Sequence, residues 1–146
     1  GDSGCFRRRG GYGVREVAIV ASMIEKEAAA PAEAPALAGV IYNRLFCWQG
    51  NPAYLNIDAT IVYALDGKND LTAEALRVDS PYNTYKYPGL PVGPICCPGM
   101  ESIRAAVYPN ETDYYYFAAG KDGVNHFFKT YNEHLAFINS DMYQPG

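Results

Sequence analysis

A proline- and glycine-rich stretch near the middle of the chain places the tightest limit on the fold. Residues 78–99 read VDSPYNTYKYPGLPVGPICCPG and contain five prolines and three glycines. Proline fixes φ and removes a backbone donor, so this spacing forbids a long helix or a central strand. A loop this long in a compact domain is usually either functional or disordered, and its tyrosines and stiff prolines argue against disorder. We therefore expect an ordered, extended loop.

The side chains of this loop suit a carbohydrate ligand. Tyrosine rings can stack on the apolar faces of sugars, while an asparagine amide bonds hydroxyl and N-acetyl groups. The alternative is that the tyrosines only pack as a cover over the core. The side chains concerned are Tyr82, Asn83, Tyr85 and Tyr87.

Helical periodicity dominates the chain on both sides of the loop. Apolar residues at three- and four-residue spacing predict helices over 14–30, 36–48, 59–65 and 99–107. A capping box of Thr130 and Glu133 begins a last helix through 138. Two strands, 114–119 and 126–130, are joined by a glycine-flanked turn that is typical of a hairpin. The fold class is therefore α+β: a compact single domain of several helices with a small antiparallel β-hairpin and the long Pro/Gly-rich loop.

Composition excludes several classes of function. The 146 residues carry 12 basic and 16 acidic side chains, a net charge of −4, so no global basic field recruits nucleic acid. No apolar run reaches the 18 or so residues of a membrane span. The arginines at 7–9 stand beside glycines, so residues 1–13 are expected to form a flexible segment. The chain begins at Gly rather than Met, which suggests that a domain over 14–146 was excised from a longer protein.

The four cysteines do not have the spacing of a metal site. None forms a Cys-x-x-Cys pair, and adjacent thiols cannot both ligate zinc comfortably, so no metal is expected. One disulfide and four unpaired thiols are both compatible with the sequence. The residues are Cys5, Cys47, Cys96 and Cys97.

One acidic side chain falls inside the apolar arc of the first predicted helix. At about 100° per residue, Glu25 lies among alanines on the face predicted to be buried. A carboxylate moved out of water tends to take up a proton, which is how catalytic acids are made. Alternatively, Glu25 lies at the margin of that face and hydrogen-bonds or pairs with a cation such as Arg44. Glu27 is the weaker candidate, because bulky Val20 and Met23 flank it.

Two other polar side chains each have two readings. Asp58 precedes a predicted helix, where it can cap the backbone N–H groups, and it could also face a substrate cleft. His126 opens a predicted strand, where it is either a hydrogen-bonded structural histidine or a ligand contact.

Several segments together resemble one family, the YceG/MltG-like endolytic transglycosylases of bacterial peptidoglycan. They occur in the family's order and cover nearly the whole chain from residue 14. Two departures, Ala59 where the family usually has proline and the Cys96-Cys97 pair, affect loop geometry rather than chemical groups. The matching segments are ASMIEKEA at 21–28, AGVIYNRL at 38–45, IDATIVYAL at 57–65, DSPYNTY at 79–85, GLPVGPI at 89–95, PG at 98–99, YYYF at 114–117 and HFFKT at 126–130.

The resemblance implies a lytic transglycosylase that cleaves the bond between N-acetylmuramic acid and N-acetylglucosamine and leaves a 1,6-anhydro end. It implies Glu25 as a single acid/base, no metal and no other cofactor. It further implies peptidoglycan strands and cell-wall synthesis proteins as partners, at the outer face of the cytoplasmic membrane in a membrane-anchored full-length protein. The substrate-binding candidates are Asp58, Asn83 and Tyr85, with Asn43, Ser80 and His126 as outer contacts.

Two other classes of function remain open at this point. A glycoside hydrolase would use Asp58 as a second carboxylate beside Glu25. A non-catalytic module would bind glycan through the tyrosine loop alone.

Overall fold

The computed structural model describes residues 11–50, 52–68 and 71–145 and has the predicted order of elements. Within that part of the chain there are five α-helices and one two-stranded antiparallel sheet, so the α+β prediction is confirmed. Residues 1–10 of the expected flexible segment lie outside the described residues. The helices are α1 Val14–Glu27, α2 Ala34–Tyr42, α3 Asp58–Ala64, α4 Met100–Val107 and α5 Tyr131–Ile138, and the strands are β1 Tyr116–Ala119 and β2 Asn125–Phe128.

Helix α1 is the central element of the core. It packs against α2, α3 and α4, and every residue from 19 to 24 is buried. Complete burial of a side chain such as Ile19, Met23 or Ile24 stabilises the fold by roughly 1.5–3 kcal/mol each. The helix ends at Glu27, three residues earlier than predicted, because Ala28 is extended and a 3₁₀ turn begins at Pro31.

Helix α2 continues into a π-helical turn, Asn43–Cys47. The chain before β1 crosses directly over α2, where a Cβ at Gly39 would lie 2.4 Å from the Asn110 carbonyl oxygen. Only glycine permits this close approach. The amide of Asn43 secures the crossing by donating to the carbonyls of Thr112 and Tyr114, at 2.8 and 2.9 Å.

The hairpin is tied to the end of α1. Strands β1 and β2 pair with Tyr116 opposite Phe128. At the start of β2, the amide of Asn125 donates to the Glu27 carbonyl oxygen at 3.0 Å, and its backbone N–H donates to Glu33 at 2.9 Å. The predicted capping box at the start of α5 is confirmed. These contacts bring the hairpin and α5 to the C-terminal end of α1.

The stretch 78–99 contains no helix or strand, as predicted. Two of its cysteines, Cys96 and Cys97, are free thiols, whereas Cys47 is disulfide-bonded. Cys5 lies outside the described residues. Across the described ranges, no helix is both long and apolar enough to cross a bilayer.

Candidate active site

Two cavities meet at the C-terminal end of α1. Their volumes are about 970 and 360 Å³, within the range of small-molecule sites. Both are lined by Glu27 and Asp58, so these two carboxyl groups lie where the cavities join. The larger cavity is bounded by α3 and the Pro/Gly-rich loop, and the smaller by the hairpin and α5. Other lining residues include Lys26, Val62, Tyr63, Asp66, Leu71, Ser80, Tyr82 and Ile95 in the larger cavity, and Arg44, Tyr85, Tyr116, Asn125, His134 and Tyr143 in the smaller one.

The carboxyl group of Glu27 is half-buried at the last residue of α1. The pKa of Glu27 is raised from 4.5 to about 7, chiefly by burial. A hydrogen bond of 3.3 Å from the Ala59 N–H opposes this rise, and repulsion from Asp58 adds to it. Glu27 therefore carries a proton for a substantial fraction of the time at neutral pH. That is the state a general acid requires. Glu27 lines both cavities, so the expectation that flanking Val20 and Met23 leave less room beside it for a ligand is wrong.

Asp58 is bound by a tyrosine rather than by helix N–H groups. It is the first residue of α3, Ile57 is the N-cap, and no side chain caps the helix, so the capping prediction is wrong. Its Oδ1 instead accepts a hydrogen bond from the Tyr85 hydroxyl. Burial and this bond raise the pKa of Tyr85 well above its usual range. Asp58 lines both cavities, and its contact with a substrate stays a prediction.

Glu25 is not buried among the alanines, and that prediction is wrong. It is exposed and lines neither of the two cavities. Its Oε1 accepts a hydrogen bond from the Gly99 N–H at 2.8 Å and another from the Ser102 hydroxyl at 2.9 Å. These bonds lower the pKa of Glu25. The carboxylate thus satisfies a free N–H at the start of α4, which confirms the reading of a hydrogen-bonded residue at the margin, without Arg44 as its partner.

The asparagines predicted to bind sugar are buried, and their side chains bond backbone groups. Asn83 is 1% exposed and donates to the carbonyls of Leu76 and Val78, at 3.0 and 2.8 Å. Its carbonyl oxygen accepts from the N–H groups of Tyr85 and Lys86, at 2.8 and 3.1 Å. Asn43, which is 2% exposed, secures the crossing over α2. Neither asparagine lines either cavity, so the structure does not bring them to the junction with Glu27 and Asp58.

Of the remaining predicted substrate contacts, Ser80 lies at a cavity and His126 does not. Ser80 lines the larger cavity, and its hydroxyl accepts a hydrogen bond of 3.1 Å from the Tyr82 N–H. His126 lines neither cavity; its Nε2 lies 2.9 Å from Asp122, and its ring packs 4.8 Å from Phe137. The structural reading of His126 therefore holds.

Arg44 is a member of the site that the sequence analysis did not place there. Its guanidinium lies over the rings of Trp48 and Tyr116, at 5.1 and 5.3 Å, and donates to the carbonyls of Tyr54 and Tyr115. Burial lowers the pKa of Arg44. Asn125 and Tyr63 were also missed, because each reaches the site through packing that periodicity does not reveal. For Glu27 a signal existed: Pro31 and Pro35 interrupt the helical pattern shortly after it, which places it near the end of the first helix.

In the part of the chain that the structure describes, no group of three His, Cys, Asp or Glu side chains is placed to hold a metal ion. The junction of the cavities brings together the carboxyl group of Glu27, a second carboxylate and a tyrosine, and such groups support proton transfer.

Comparison with known proteins identifies relatives. A family profile described as YceG-like matches residues 6–140. An endolytic murein transglycosylase of Bacillus subtilis is 43% identical over 122 residues, which cover 83% of this chain and 33% of that protein. The Streptococcus pneumoniae protein of the same name is 36% identical over 110 residues, covering 73% of this chain and 20% of that protein. The crystal structure of a yceG-like protein from Listeria monocytogenes superposes with a TM-score of 0.80 at 41% identity, covering 90% of this chain and 42% of that one. The chain thus spans about a third or less of the curated relatives it matches.

Proposed function

Since the chain belongs to the YceG-like family, we propose that it cleaves the glycan strands of bacterial peptidoglycan as an endolytic murein transglycosylase, the activity named for its Bacillus and Streptococcus relatives. Residues 14–146 form the catalytic domain in this proposal. The protein then works in the cell envelope, at the outer face of the cytoplasmic membrane and beside cell-wall synthesis proteins.

The observation that carries the proposal is the place of Glu27, half-buried where two cavities join, with its pKa raised to about 7. A strand that occupies both cavities places one of its glycosidic bonds beside this side chain. Glu27 donates its proton to the glycosidic oxygen as the bond from that oxygen to C1 of N-acetylmuramic acid breaks. The C6 hydroxyl oxygen of the same sugar then bonds to C1, and its proton passes to the Glu27 carboxylate. The carboxyl group is thereby restored, and a 1,6-anhydro end is formed without consumption of water.

Asp58 and Tyr85 assist this step without exchanging protons with the substrate. The Asp58 carboxylate raises the pKa of Glu27, and its negative charge stabilises the positive charge that develops on the sugar ring in the transition state. The Tyr85 hydroxyl fixes the orientation of that carboxylate. The acid/base role moves from Glu25 to Glu27, two residues further along the same family motif, because Glu25 holds the start of α4 and is deprotonated.

The products of digestion test the proposed function. Purified glycan strands incubated with the chain are expected to yield fragments with anhydro ends, lighter by the mass of one water than hydrolysed fragments, as measured by mass spectrometry. Reducing ends would overturn the proposal in favour of a hydrolase with Asp58 as the second carboxylate. Binding without any cleavage would overturn it in favour of a glycan-binding module.

A further inference from the structure

We propose that Tyr63 and Tyr82 form a sugar-stacking subsite in the larger cavity, which holds a pyranose ring of the glycan strand beyond the rings joined by the scissile bond. The inference rests on the proposed function and adds which residues bind the glycan strand away from the scissile bond. The two rings lie with centroids 4.7 Å apart at an angle of 56°. Tyr63 remains 44% exposed, so its ring is available to a ligand.

The pair of rings formed by Tyr63 and Tyr82 is held in place from two sides. Thr60 and Ile61 bury the inner face of α3, which leaves Tyr63 on the outer face against Tyr82. The Tyr82 hydroxyl lies 3.0 Å from the position of a Cβ on Gly93, so this ring lies close over the backbone of the Pro/Gly-rich loop. Helix and loop therefore present the two rings as one rigid surface.

Tyr63 lines the larger cavity and presents its exposed ring there. The neighbouring Tyr82 raises the pKa of Tyr63, so its side chain stays uncharged at neutral pH. A ring face binds through apolar contact, which suits the C–H face of a sugar.

The remaining walls of the cavity also match a sugar. Val62, Leu71 and Ile95 supply apolar surface, whereas Asp66 and Ser80 supply groups that can bond hydroxyls. The same cavity reaches Glu27 and Asp58, so a strand bound to the two tyrosine rings extends to Glu27. The cavity therefore requires a ligand that offers apolar surface to the rings and hydroxyls to the polar groups. A polymer of pyranose rings is such a ligand, because each ring is apolar on its faces and polar at its edges.

Binding measured without turnover tests the subsite. In an E27Q background, titration calorimetry with murein glycan octasaccharides stripped of peptide is expected to show that Tyr63→Ala weakens binding about two- to tenfold. Tyr63→Phe retains the ring and should bind as the parent does. Tyr63→Leu keeps bulk without an aromatic face and should resemble Tyr63→Ala. Tyr108→Ala, at a 74% exposed tyrosine on a different cavity, is the matched control and should change nothing.

The outcomes separate this inference from the proposed function. Unchanged octasaccharide binding by Tyr63→Ala and Tyr63→Leu would overturn the subsite while the parent still binds. Equal weakening by Tyr63→Phe would overturn stacking in favour of a hydroxyl contact. Failure of the E27Q parent to bind any glycan would instead contradict the proposed function.

Discussion

Replacement of Glu27 by glutamine is expected to lower the rate of glycan cleavage by a factor of about 10² to 10⁴, the usual contribution of a general acid. Glutamine preserves the shape of the side chain and can still accept the Ala59 N–H, but it has no proton to give to the leaving oxygen. Release of anhydro fragments from purified strands measures the effect, and circular dichroism checks that the fold is retained.

Glu25→Gln is the matched control for this variant. Both positions lie near the end of α1, yet Glu25 contacts only the start of α4 in the hydrogen bonds described above. The Glu25 variant should therefore retain most of the activity and lose some thermal stability. The opposite pattern, in which Glu25→Gln abolishes cleavage and Glu27→Gln spares it, would return the acid/base role to Glu25.

The raised pKa of Glu27 should also be measurable as a pH dependence of stability. Between pH 4.5 and about 7 the folded protein holds a proton on Glu27 that the unfolded chain releases. Folding stability contributed by this group therefore falls as pH rises through that range. The change from 4.5 to about 7 corresponds to a loss of about 3 kcal/mol at pH 8 relative to pH 4.

Urea unfolding at several pH values checks this expectation against Glu27→Gln. Because glutamine does not titrate, the variant should gain stability relative to the parent by about 3 kcal/mol as pH rises from 4 to 8. The comparison cancels the titration of every other group that both proteins share. A stability difference that stays constant over this range would contradict a raised pKa at Glu27.

The sequence predicted the architecture well because local signals and packing agree in most of this chain. The periodic apolar residues of α1 form the core, the break at Pro31 ends the first helix, and Thr130 caps the last one. The prolines of 78–99 exclude regular structure, as expected. The α+β class and the family resemblance therefore followed from residues alone.

The roles of individual polar residues could not be predicted in the same way. Glu25 and Glu27 are about 200° apart around the helix, and their surroundings depend on which neighbours pack there. Helix α4 begins beside Glu25, and Asp58 comes from α3 to face Glu27. Asn83 resembled a ligand-binding amide in sequence, but its side chain bonds backbone groups of its own loop and of the turn before it. Periodicity finds a face of a helix and does not identify what covers it.

The most direct test of the account is the titration of the two glutamates by carbon-detected NMR of the side-chain carboxyl groups. The account predicts a pKa of about 7 for Glu27 and a pKa below 4.5 for Glu25. Spectra of Glu25→Gln and Glu27→Gln assign the two signals. A Glu27 carboxyl that titrates at or below 4.5, or a Glu25 carboxyl that titrates near 7, would contradict it.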